Sequence, residues 1–147
     1  MPAPIVVGYD GSDASGRALD RAIERARDSH AELVVVAVAE MPLDPEGPQN
    51  FGTLDDSPAR MIPLVEPPEL EPFLAEARKR AEAARVRADY VWEAGEPAGA
   101  IVAVARERGA DLIVVGSHHH SLLGRLLGTD VAAEVKREAG CDVLVVE

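Results

Sequence analysis

The chain of 147 residues has one cysteine, little aromatic content and few basic side chains, and each shortage closes off a class of protein. Cys141 alone can form no internal disulfide, and with no partner motif it reads as a small buried hydrophobe in a reducing compartment. Aromatic residues make up 3% of the chain, too few to stack along a single nucleic-acid strand. Lys and Arg number 15 against 26 Asp and Glu, a formal charge of -11. General binding to nucleic acid or to an anionic membrane needs clustered cations, so neither is expected as a partner. No apolar run approaches the about 20 residues that span a bilayer. Met1-Pro-Ala-Pro leads straight into Ile5-Val6-Val7 with no succession of basic, apolar and cleavage regions, so a cytoplasmic location is expected.

Motifs of common enzymes are missing too. There is no phosphate-binding loop ending in Gly-Lys-Ser/Thr and no Gly-x-Ser-x-Gly elbow, and Gly8-Tyr-Asp10-Gly11 has the wrong spacing for a dinucleotide fingerprint. Asp10 and Thr129 could meet a magnesium nucleotide, but no base or nucleophile is positioned beside them. The chain therefore reads as a non-enzyme, with ATP hydrolysis at most slow and incidental.

What is present is a regular alternation within one domain, residues 1–147. Ile5–Gly8 is a short apolar run of the kind found in strands buried on both faces. Gly11-Ser12-Asp13 then reads as a turn and helix cap, and Ala18, Leu19, Ala22, Ile23 and Ala26 form one apolar stripe at helical spacing. A β-branched run, Leu33–Ala39, is followed by a second stripe, Leu70, Phe73, Leu74, Ala77 and Ala81. Residues 89–93 form a weaker strand; Pro97 opens a third helix that Gly109 stops. Residues 112–115 make a fourth strand, Val131, Ala132 and Val135 mark a fourth helix, and residues 143–146 make a fifth strand. Five strands alternating with four helices predict an α/β fold, a Rossmann-like parallel sheet covered on both faces. Residues 41–68 break the rhythm: they hold seven of the eleven prolines and read as a long surface excursion.

The segment 114–129 runs from an apolar strand through a glycine-punctuated loop toward a helix. The first turn of a helix carries unpaired N–H groups and partial positive charge, which suits a phosphate. Gly116 and Gly128 would let backbone approach a ligand, and Thr129 offers a hydroxyl. The same residues also satisfy an ordinary strand-to-helix turn. His118, His119 and His120 are consecutive, His30 is the only other histidine, and no cysteine or distant histidine completes a tetrahedral set. Solvated loop residues or phosphate contacts, rather than a metal site, are expected there.

The stretches Ile5-Val-Val-Gly-Tyr-Asp10-Gly-Ser12 with Ser15, Gly95-Glu-Pro97, Asp111-Leu-Ile-Val-Val-Gly116-Ser-His118 and Cys141-Asp-Val-Leu-Val-Val together resemble the universal stress protein family from end to end. The resemblance implies a doubly wound sheet of order 3-2-1-4-5, a homodimer formed commonly through the last strand and, in one branch, binding of ATP between strands one and four. It matches Asp10 to a carboxylate that contacts adenosine and Val38 to an apolar wall for adenine. The nucleotide-binding branch shows glycine, two residues, glycine, nine residues, then glycine with Ser or Thr. Gly116, Gly128 and Thr129 fit, but His119 replaces the second glycine and eight residues separate it from Gly128. Asp130 adds a negative charge beside Thr129, whereas His118, His119 and Arg125 could supply donors.

The candidate nucleotide-binding residues are thus Asp10, Ser12, Val38, Val115, Gly116, His118, His119, Arg125, Gly128 and Thr129, for ATP, ADP or AMP with magnesium. Two functions stay open. One is a nucleotide-sensing regulatory protein; the other is a nucleotide-independent interaction protein, dimeric through the apolar terminal strand Val143-Leu-Val-Val, with the histidine loop and acidic surface used for contacts with an unknown partner protein.

Overall fold

A computed structural model describes residues 2–39, 68–117 and 131–147. Its elements are β1 (Ile5–Gly8), α1 (Asp13–Ser29), β2 (Leu33–Ala39), a 3-10 turn (Pro68–Leu70), α2 (Glu71–Ala83), β3 (Ala88–Ala94), α3 (Pro97–Arg108), β4 (Leu112–Gly116), α4 (Val131–Glu138) and β5 (Asp142–Val146). The strands form one parallel sheet of order β3-β2-β1-β4-β5, as expected. The periodicity underestimates β3, β4 and β5 by a residue or two, because polar Asp142 and small Ala88, Ala94 and Gly116 carry no apolar signal yet join the ladder. The expected excursion over 41–68 lies outside the described residues except for Pro68, which opens the 3-10 turn.

Alternation along the strands divides the core between two faces. Val7, Val35 and Val114 meet α1 and α2 through Leu19, Ala22, Ala77 and Ala81. Val6, Val34, Val36, Ile113 and Val115 meet α3 and α4 through Ile101, Val104, Ala132 and Val135. The central strands β1 and β4 are buried nearly throughout, which is why they read as unbroken apolar runs rather than alternating ones. Cys141 is half-buried against the second cluster, and burial raises its thiol above the ordinary range, with Asp142 and Asp111 adding to the effect.

Three helices return to the sheet through the same turn. The N–H groups of Ala31, Val86 and Ala110 donate to the carbonyls of Ala26, Ala81 and Ala105, at 2.9, 3.0 and 2.9 Å. In each case the residue just before the donor is left-handed: His30 (φ 57°), Arg85 (φ 58°) and Gly109 (φ 66°). These bonds satisfy orphan carbonyls at the helix ends. Only Gly109 announces such a stop in the sequence.

Among the described residues no helix is long and apolar enough to cross a membrane.

Candidate functional site

The strand order reverses between β1 and β4. In an open parallel sheet such a point leaves a crevice outside the C-terminal ends of the strands, because the two connections leave toward opposite faces. The exit from β1 is Tyr9-Asp10-Gly11-Ser12. Tyr9 N–H still donates to Val36 O at 3.0 Å, so the ladder continues one residue past β1 and delivers Asp10 to the crevice rim.

The Asp10 carboxylate is held by its own loop. Its Oδ1 accepts from the Ser12 N–H at 2.9 Å and from the Ser15 hydroxyl at 2.7 Å. The Ser12 hydroxyl in turn accepts from Ser15 N–H at 3.2 Å, the cap of α1 that the sequence predicts. Gly11 makes the turn possible: its φ is +82°, and a Cβ there would lie 2.5 Å from the Phe73 ring. Val38 stands two residues past Val36, the β2 partner of Gly8, and Asp10 stands two past Gly8. The two candidates therefore occupy corresponding places on neighbouring chains, one an exposed acceptor and the other a half-exposed apolar wall.

On the β4 side the structure assigns Gly116 a packing duty that its sequence context does not reveal. A Cβ on Gly116 would lie 2.5 Å from Ala14 C, 2.6 Å from Ala14 O and 2.7 Å from Ser15 N, so the first turn of α1 rests directly on the end of β4. Val115 is buried and faces α3 and α4, which makes it part of the crevice floor rather than an open contact. Ser117 N–H donates to Val146 O at 2.8 Å, extending the β4–β5 ladder. Its hydroxyl is buried and has no hydrogen-bond partner among the described residues. His118, His119, Arg125, Gly128 and Thr129 lie outside the described residues. The structure thus brings together Asp10, Ser12, Val38, Val115 and Gly116.

Three residues given no role by sequence reasoning border the same loop. Ser15 is one. Arg80 of α2 reaches α1, where its guanidinium donates to Gly16 O at 3.2 Å and Asp20 Oδ1 at 3.3 Å, and also to Glu76 Oε1 at 3.1 Å. The same cation lies 6.0 Å from the centroid of Tyr9. Burial opposes the Arg80 charge, but the Glu76 hydrogen bond and Asp20 hold its pKa above the ordinary value. Burial also raises the Tyr9 phenol, against the pull of Arg80. Tyr9, Asp20 and Arg80 line a groove of about 260 Å³ beside Ser12 and Gly16. Sequence reasoning could not find Arg80, because a cation on a charged amphipathic helix looks like any solvated one.

No group of three or more His, Cys, Asp or Glu among the described residues is arranged to hold a metal ion.

A parallel sheet with an acid-bearing loop at its switch point defines a small doubly wound α/β domain. The model of the universal stress protein family matches residues 1–147. Universal stress protein Rv1636 of Mycobacterium tuberculosis (strain ATCC 25618 / H37Rv) is 40% identical over 149 residues, covering 97% of this chain and 94% of its own. Universal stress protein YxiE of Bacillus subtilis (strain 168) is 32% identical over 150 residues, covering 97% of each. A solved universal stress protein in complex with cAMP superposes with a TM-score of 0.71 at 33% identity, over 99% of this chain and 96% of that one. The chain belongs to the universal stress protein family.

Proposed function

We propose that this chain is a cytoplasmic regulatory protein of the stress response that binds an adenine nucleotide between β1 and β4 and is not an enzyme. The observation that carries the reading is the Asp10 carboxylate, presented at the switch point by donors from the β1–α1 loop and the first turn of α1, with the half-exposed Val38 at the corresponding position of the neighbouring strand. An ionised carboxylate only accepts hydrogen bonds, so it suits the hydroxyls of a ribose or the amine of adenine, not a phosphate. The solved relative in complex with cAMP, at 33% identity, supports an adenine nucleotide as the ligand class. His118, His119, Arg125, Gly128 and Thr129 would serve the phosphate end, with ATP, ADP or AMP as ligand and magnesium as counter-ion.

The decisive experiment denatures the purified protein, identifies released nucleotide by mass spectrometry, and titrates ATP, ADP, AMP and cAMP with magnesium by calorimetry. A stoichiometric ligand or micromolar affinity is expected, with Gly128→Asp abolishing it and Asp10→Ala weakening it to a lower but still measurable level while the fold persists. No binding up to millimolar concentration would reject the reading.

A second reading has its own observation. The edge strand β5 leaves Val143, Leu144, Val145 and Val146 half-exposed, an apolar edge suited to pairing between two copies. The homodimer is part of the proposal, and the alternative is that association alone, without nucleotide, is the function. A monomeric mass at micromolar concentration would remove the dimer from both.

A further inference from the structure

We propose that Ser15 is the positioning residue of the nucleotide site, and that Gly116 acts through it: the end of β4 sets where Ser15 lies, and Ser15 sets where the Asp10 carboxylate points. The inference rests on the adenine-nucleotide reading for its functional consequence, but its geometry is independent of any ligand.

Ser15 is 2% exposed although it sits in the first turn of a surface helix, so its hydroxyl is committed to protein partners. Its oxygen lies 2.7 Å from Asp10 Oδ1 and 3.1 Å from Ser12 O, and it accepts from Asp10 N–H at 3.2 Å. A hydroxyl has one proton; the shorter distance and the charge of the acceptor assign it to Asp10. Residue 10 is therefore gripped twice by one side chain, at its backbone nitrogen and at its carboxylate. Without that grip the carboxylate keeps the Ser12 N–H but loses the hydroxyl donor and the tie to its own backbone nitrogen, and is freer to change rotamer.

Ser15 is held in turn by what Gly116 lacks. With the Ser15 nitrogen 2.7 Å from where a Cβ would stand on Gly116, any side chain there pushes the first turn of α1 away from β4. The contacts run from Gly116 through Ser15 to Asp10, joining the two strands that flank the switch point. A glycine at the end of β4 thus contributes to recognition of the nucleoside rather than by direct approach to phosphate.

The test is a double-substitution cycle with AMP as the probe, read by calorimetry on wild type, Ser15→Ala, Asp10→Ala and the double variant, alongside hydrogen exchange of the residue 10 amide without nucleotide. Ser15→Ala should weaken AMP by on the order of tenfold, and should add nothing in the Asp10→Ala background, because Ser15 acts only through that carboxylate. The residue 10 amide should exchange at least about tenfold faster in Ser15→Ala. Unchanged AMP affinity in Ser15→Ala, or an equal loss in the Asp10→Ala background, would overturn the positioning role. If wild type binds no AMP while the amide still loses protection, the nucleotide reading fails and the grip on Asp10 stands. If the amide exchange is unchanged, the grip itself is wrong.

Discussion

At the N-terminal ends of the strands three helices hand the chain back to the sheet through one repeated left-handed turn, whereas at the C-terminal ends of β1 and β4 the described residues are held by tight side-chain and backbone contacts with other elements. The first arrangement tolerates variety: histidine, arginine and glycine occupy the same conformation at residues 30, 85 and 109, and nothing lies within 4 Å of a Cβ on Gly109. The second does not, since Gly11 abuts Phe73, Gly116 abuts the α1 backbone, and Ser15 is buried in bonds to Asp10 and Ser12. One end of the sheet is stabilised by local backbone geometry; the other depends on non-local fit, and that is where the candidate site lies. Structural tolerance and site geometry are thus separated to opposite ends of the same strands.

The largest break in that contrast should come from Gly116→Ala, which drives a Cβ into fixed backbone and is expected to cost about 3 kcal/mol, measured by denaturant unfolding. A loss below about 1 kcal/mol would mean that α1 shifts freely and that the two ends are not built differently. Gly109→Ala meets only backbone strain and should cost about 1 kcal/mol. At the same kind of turn, His30→Gly and Arg85→Gly should each stabilise by about 0.5–1 kcal/mol, the relief of the left-handed residue less the entropy that glycine adds to the unfolded chain. Destabilisation by either would show that the side chains of these turns carry contacts of their own.

The smallest effect concerns Glu134 in the first turn of α4. A hydrogen bond with Glu96, at the start of α3, raises its pKa above the ordinary carboxylate value, with desolvation and the Glu96 charge adding to it. A carboxyl whose pKa is raised by folding contributes stability at low pH that is lost as pH rises through the folded pKa. Glu134→Gln should therefore raise Tm slightly at about pH 7 and leave it unchanged below the usual carboxylate range. A pH-independent change would rule out the shared proton.

Much of this was legible before any coordinates. The apolar runs at 5–8, 33–39 and 112–115 and the stripes from Ala18 to Ala26 and from Phe73 to Ala81 fall in the elements expected, because strands and helices buried on fixed faces must carry those periods, while Leu70, the first residue of the second stripe, lies in the 3-10 turn before α2. Ser12 as a cap and Gly109 as a stop were readable for local reasons of the same kind. His30 and Arg85 were not, since arginine has no preference for a positive φ and histidine only a weak one; the turn is imposed by the helix and strand that it joins. Ser15 stood in the motif without a role, and Arg80 resembled its solvated neighbours.

The sequence by itself determined the alternation of strands and helices, the two-faced burial of the central strands and, through its resemblance, the family. These follow from residue type and spacing, which act over a few positions. Only the tertiary structure decided that Gly116 is small for the sake of α1, that Ser15 turns inward, and that the Asp10 carboxylate is held by Ser12 and Ser15 at the reversal of strand order. Those facts arise from contacts between residues separated by up to about a hundred positions. No local pattern encodes a distance that closes only when the sheet does.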